Sequence, residues 1–128
     1  MKPVELSIAE EEGIRIVEGD PEQCLVSRVE DINRVLEACF SNETRCALLY
    51  AKNVADPFFD LSSGQAGAIL QKLRNYGIRL ALVCPPGTVQ FSSRFGEMVA
   101  EERLRRHFGV FETRSDAQAW LCERPGER

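Results

Sequence analysis

The chain has 128 residues, 44% of them hydrophobic and 28% charged, with a formal net charge of −4. That length is the usual size of one domain, and that apolar share is enough to fill a core. The mild acidity excludes the basic field that phosphate-backbone binding requires, so nucleic acid is not an expected partner.

The chain opens on "VELSIAEEEGIRIVEG", which alternates apolar and polar residues on both sides of an acidic, Gly-containing turn. That period of two predicts a β-hairpin, with Val4, Leu6 and Ile8 on one side of the first strand and Ile14 and Ile16 on one side of the second. Asp20-Pro21 breaks the strand. From Ser27 the period changes: Val29, Ile32, Val35, Leu36, Cys39 and Phe40 form one helical stripe, and Ser27 with Glu30 reads as a capping box. "CALLYAKNV" is continuously apolar at its centre and predicts a buried strand. In the next helix Ala66, Ile69, Leu70 and Leu73 share a face, and Asn75-Tyr76-Gly77 stops it with Gly77 at the left-handed C′ position.

"IRLALVC" is the clearest strand, ended by Pro85-Pro86-Gly87. Phe91, Phe95, Met98 and Val99 predict a third helix running to about Arg106. "FGVFET" is a last short strand, and Ser115-Asp116-Ala117-Gln118 caps a final helix that buries Ala117, Trp120 and Leu121. The order β-β-α-β-α-β-α-β-α predicts one α/β domain over residues 1–122, with a mixed sheet covered by helices and a frayed tail over 123–128.

No apolar run of about eighteen residues occurs and no positive segment precedes a shorter one, so no membrane partner and a cytoplasmic location are expected. Cys24, Cys39, Cys46, Cys84 and Cys122 are odd in number and widely spaced, and only His107 could join them as a metal ligand. They read as small core hydrophobes in a reducing compartment, and no metal or other cofactor is expected.

The element order resembles the STAS fold, named for sulfate transporters and anti-sigma factor antagonists. In that family an Asp at a strand end leads to serines, a Gly and a helix. Its serine at the helix start is phosphorylated by a partner kinase, which switches binding of a regulatory protein. Asp60, Ser62, Ser63 and Gly64 match that motif, while Leu61 stands between the acid and the serines and "ADPFF" lengthens the approach. From Leu48 to Leu121 the chain is identified as a member of a bacterial domain-of-unknown-function family, DUF4180. It carries the pattern "FFDLSSGQAGAILQKLRNYGIRLALV", an acidic pair at Glu101-Glu102, and "SDAQAWL". That resemblance implies a STAS-like fold and brings no activity or ligand with it.

Asp60-Leu61-Ser62-Ser63-Gly64 is open to three readings: helix capping, phosphorylation at Ser62 or Ser63, or an anion held by the helix N-terminus. Gly64 and Gly67 each cost up to about 1 kcal/mol relative to Ala near a helix start. Either close packing on the sheet or close approach of a partner would offset that cost. Phe58 and Phe59 either plug the core or form an apolar contact surface. Beyond the carboxyl end of the clearest strand, Thr88, Ser92, Ser93 and Arg94 could converge with the serines on an anion, or serve as turn and cap residues.

The chain has no nucleophile elbow, P-loop, dinucleotide fingerprint or metal-ligand cluster, so an enzyme is not expected, and His107 reads as surface near a helix end. The expected function is a regulatory or protein-interaction module, with a small-ligand or anion sensor at the strand carboxyl ends as the alternative. A protein partner is expected. The hairpin edge and the Gly64/Gly67 face are candidate contacts for a homodimer.

Overall fold

The computed structural model describes residues 6–123; Val4 of the expected hairpin and residues 124–128 of the expected tail lie outside the described residues. β1 (Leu6–Glu11) and β2 (Ile14–Gly19) pair antiparallel in the register Leu6↔Gly19 through Glu11↔Ile14. Glu12 and Gly13 both take positive φ, at 52° and 79°, the turn whose twist suits a tight hairpin. There follow α1 (Asn33–Ser41), β3 (Cys46–Tyr50), α2 (Gln65–Asn75), β4 (Arg79–Val83), α3 (Ser93–Leu104), β5 (Phe108–Phe111) and α4 (Arg114–Cys122).

The sheet runs β1-β2-β3-β4-β5, and every pairing after the hairpin is parallel. This layout decides where the helices go. Each crossover from β2 to β5 steps one strand in the same direction, so right-handed connections place α1, α2 and α3 on one face. Val17, Ala47, Leu49, Leu80, Leu82 and Phe108 form that face and pack with Val35, Leu36, Ile69, Leu73 and Phe95 of the three helices. The alternate strand residues Ile16, Cys46, Leu48, Ala81, Val83 and Phe111 face the other way, against Ala117, Trp120 and Leu121 of α4. β3 and, after Arg79, β4 are apolar because they are covered on both sides.

Local chemistry fixes several element ends. Gly77, with φ 70°, donates its N–H to the Arg74 carbonyl at 3.0 Å while Ile78 N–H reaches the Leu73 carbonyl at 2.9 Å. Both bonds satisfy orphan carbonyls of α2, and the left-handed turn suits a residue without Cβ. Thr113 caps α4 by accepting from Asp116 N–H at 3.1 Å, two residues earlier than the expected Ser115. The far end of α4 is held by Arg79 of β4, whose guanidinium donates to the carbonyls of Trp120, Leu121 and Glu123. A cation among unpaired carbonyls also complements the helix dipole.

Three expectations are corrected. The helical turn after Ser27 is a 3-10 segment, Val29–Ile32, ahead of α1, and its cap is Asp31 rather than Glu30. Asp31 Oδ2 accepts from the N–H groups of Ser27 and Arg28 and from the Ser27 hydroxyl. Phe40, placed on the buried stripe by periodicity, is 52% exposed and meets Tyr76 edge-on. α1 stops at Ser41, where its stripe has already run past the edge of the core. The "YAKNV" end of the third strand is a 3-10 turn, Ala51–Asn53, and Asn53 is fully buried.

Cys39, Cys46 and Cys84 are buried, Cys122 is half-buried and Cys24 is exposed; all five are free thiols. Burial pushes the Cys39 thiol up to about 12, so this sulfur behaves as a core hydrophobe.

Candidate functional site

Between β3 and α2 the chain turns through the 3-10 segments Ala51–Asn53, Asp56–Phe59 and Leu61–Ser63. Phe58 is 1% and Phe59 8% exposed, so they plug the end of the core and form no broad apolar surface. Phe58 packs edge-on against Phe59, Phe95 and Phe108 at 5.4–6.1 Å between ring centres. Phe59 stacks on Phe91 at 5.8 Å, which ties this loop to the start of α3.

That anchoring sets the geometry of the serines. Asp60 Oδ1 accepts from the N–H of Ser62 at 3.1 Å and from its hydroxyl at 2.7 Å, closing a turn ahead of the helix. Ser63 donates its hydroxyl to the Pro57 carbonyl at 2.6 Å and accepts from Gln65 N–H at 3.1 Å. Ser63 therefore satisfies one orphan donor of α2, while Asp60 touches only its own turn. Gly64 holds the N-cap position with φ 78°, and both serines stay exposed.

Gly67 contradicts the packing explanation. It is exposed on α2, and a Cβ built there meets nothing within 4 Å. Gly67→Ala is expected to stabilise the fold by about 0.5–1 kcal/mol. Gly64→Ala, forced to hold positive φ, is expected to cost about 1–2 kcal/mol. Thermal unfolding of the two variants checks both signs, and a loss for Gly67→Ala would mean that the chain itself uses that space.

The loops after β3 and β4 do meet at the carboxyl edge of the sheet. A concavity of about 350 Å³ between them is lined by Asp56, Phe59, Asp60, Thr88, Val89 and Gln90. Of the predicted set, only Asp60 and Thr88 converge with Phe59 there. Ser92 caps α3 by accepting from Phe95 N–H at 3.1 Å, and Ser93 and Arg94 are exposed on the first turn of α3. Two carboxylates and no cation line this space, so it does not suit an anion.

A second cluster was not legible in the sequence. Glu18 of β2 accepts both Nε and Nη2 of Arg114 at 2.9 Å and the Tyr50 hydroxyl. Arg114 also reaches Gln118 at 3.0 Å and Glu11 at 3.6 Å. These bonds staple the hairpin and β3 to the start of α4. The Arg114 guanidinium and the Tyr50 hydroxyl hold the Glu18 carboxyl below the usual carboxylate range against the opposing effect of burial. Burial and the Glu18 hydrogen bond push the Tyr50 phenol up to about 12. Neither group exchanges a proton near neutrality, which general acid–base work requires. His107 immediately precedes β5, at the amino edge of the sheet and the opposite end from the serines. Among the described residues, no three His, Cys, Asp or Glu side chains gather as a metal site, and no helix is long and apolar enough to cross a membrane.

Comparison with solved structures finds a candidate anti-sigma factor antagonist from Thermotoga maritima. It is similar over 92% of this chain and 95% of its own, at 16% identity and a TM-score of 0.45. A search of the curated proteins finds no sequence match. The model of a family described as a domain of unknown function, DUF4180, matches residues 11–121. That span takes in everything from the end of β1 to the last turn of α4, and the chain belongs to the DUF4180 family.

Proposed function

We infer that the domain is a non-enzymatic regulatory or protein-interaction module that binds a protein partner through the start of α2 and the loop before it. The carrying observation is Gly67. A glycine inside a helix costs about 1 kcal/mol relative to Ala, and neither a positive φ nor any neighbour within 4 Å offsets that cost here. Close approach of another chain does offset it. Ser62, Ser63, Gly64, Gly67 and Ala68 are all exposed, and together they offer small side chains and accessible backbone.

A serine switch on this surface, as the STAS resemblance implies, has different consequences at the two positions. Phosphate on Ser62 would stand beside the Asp60 carboxylate that its hydroxyl now contacts at 2.7 Å, breaking the turn by like-charge repulsion. Phosphate on Ser63 would remove the bond to Pro57 and place the charge beside the α2 N-terminus, where the dipole favours it.

Gly67→Arg tests the binding surface. Position 67 is open, so the variant should fold with a melting point close to that of the wild type, and it should lose the proteins that the wild type retains from a lysate of its own host. Retention of the same proteins by the variant would refute this surface. Mass spectrometry of the chain isolated from that host without phosphatase tests the switch: one phosphate mapped to Ser62 or Ser63 supports it, and an unmodified chain in every growth condition rejects it.

A further inference from the structure

The loops that follow β2, β3 and β4 enclose another hollow at the carboxyl edge of the sheet, above Tyr50 and Val83, whose layer packs with α4. It holds about 190 Å³, and its walls are mostly carbon: Pro21, the Tyr50 ring, Ala51, Val83 and Pro85. Buried bonds hold two of these walls in place. Asn53 donates to the carbonyls of Asp20 and Gln23, which flank Pro21 and Glu22, and accepts from the Tyr50 N–H. The Tyr50 hydroxyl is held by Glu18, which fixes the ring at the side of the space. A pre-formed apolar hollow with a few polar groups at its mouth is the usual form of a small-molecule site. Sites for drug-sized ligands run from about 300 to 1,000 Å³, so this one suits a smaller molecule.

The mouth narrows the chemistry. Lys52 Nζ and Glu22 Oε1 stand 3.2 Å apart there, with side chains 64% and 76% exposed. An exposed pair of this kind gains little from its own attraction, so both charges are open to a competitor. A simple carboxylic acid would satisfy Lys52 and set its own charge beside Glu22, and a simple amine would satisfy Glu22 and set its charge beside Lys52. A molecule with an ammonium and a carboxylate on one carbon answers both, and its third substituent is free to enter the apolar space.

We propose that this hollow binds a free α-amino acid with an aliphatic or aromatic side chain. Its carboxylate meets Lys52, its ammonium meets Glu22, and its side chain lies among Tyr50, Val83 and the two prolines. A peptide does not fit this mouth, because its terminal charges sit on different residues. None of the lining residues belongs to the α2 surface, so the two readings fail independently. Calorimetric titration of the full chain with leucine, methionine and phenylalanine should show saturable binding of at least one of them at millimolar concentration or below. Glycine, with no side chain to fill the hollow, should bind about tenfold more weakly or worse. The amide and the N-acetyl form of the bound amino acid each lack one charge and should lose a similar factor. Lys52→Gln and Glu22→Gln, both at exposed positions, should melt close to the wild type and also weaken binding about tenfold. Amide chemical shifts on titration should move most at Glu22, Lys52 and Thr88, which also lines the hollow. The absence of binding by all three amino acids would overturn the proposal, as would binding that both glutamine variants keep or that the amide and N-acetyl forms match.

Discussion

Asn53→Asp is expected to cost the fold about 3–5 kcal/mol, read as a fall in the urea midpoint at unchanged slope. The Asn53 amide is fully buried where the turn after β3 meets the loop after β2. Its Nδ2 donates to the carbonyls of Asp20 at 2.6 Å and Gln23 at 2.7 Å, and its Oδ1 accepts from Tyr50 N–H at 2.7 Å. Aspartate keeps the acceptor and turns a second oxygen, with a charge, toward two carbonyls. Asn53→Ala leaves the Gln23 carbonyl and the Tyr50 N–H without the Asn53 amide, while the Asp20 carbonyl keeps the Gln23 N–H at 3.2 Å, and should cost about 2–3 kcal/mol. Gly19 belongs to the same joint, because a Cβ there would overlap the Asn53 amide and crowd Leu49. Gly19→Ala should therefore lose about 1–3 kcal/mol by overpacking, and not additively with the Asn53 variants. A midpoint for Asn53→Asp within error of the wild type would show that this joint does not hold the sheet end together.

The stability of the wild type should fall at both ends of the pH scale for reasons centred on Glu18. The folded-state pKa of Glu18 is lowered, so its contribution is complete above the ordinary value of 4.5 and is lost as pH falls through the lower folded value. Tyr50 has the opposite sign. Its folded pKa is raised from 10.0 to about 12, so the stability it supports is complete below pH 10 and is lost as pH rises toward 12. Tyr50→Phe should flatten the alkaline limb, and Arg114→Ala should shrink the acid limb. At neutral pH Arg114→Ala should also cost about 1–2 kcal/mol, less than a fully buried pair because 35% of the Arg114 side chain stays in water. Urea midpoints from pH 3 to pH 11 measure all three, and an alkaline limb unchanged in Tyr50→Phe would remove Tyr50 from this account.

The helices and strands were legible where one rule acted alone. β3 and the Leu80–Val83 stretch of β4 announce themselves as apolar runs because both faces are covered. Gly77 announces the end of α2 because few other residues take its φ of 70°. The family pattern around "FFDLSSGQAGAIL" was likewise readable, and the family match spans it. Legibility failed where partners come from afar. Asn53 sits in an apolar stretch with nothing local to mark it, and its bonds reach back 30 and 33 residues. Arg114 meets Glu18 across 96 residues, so neither residue signals the other. At the start of α2 the capping reading holds for one residue of the motif and not for another. Ser63 caps the helix and Asp60 closes only its own turn, while Gly67, read either as packing on the sheet or as meeting a partner, has no neighbour of its own chain at its Cβ position. The predicted meeting of serines and Arg94 fails for a related reason, since Ser92 is committed to the N–H of Phe95.

The division of the sheet into one face with three helices and another covered by α4 alone fixes an order of events during synthesis. The first face can close as soon as β5 leaves the ribosome, because its three helices precede that strand. The second face, with Ile16, Leu48, Ala81, Val83 and Phe111, has no cover until α4 follows. The nascent protein thus passes through a stage with one finished side and one sticky side. Any delay in releasing α4 once β5 has emerged prolongs that stage, when the chain is most exposed to aggregation and to capture by chaperones.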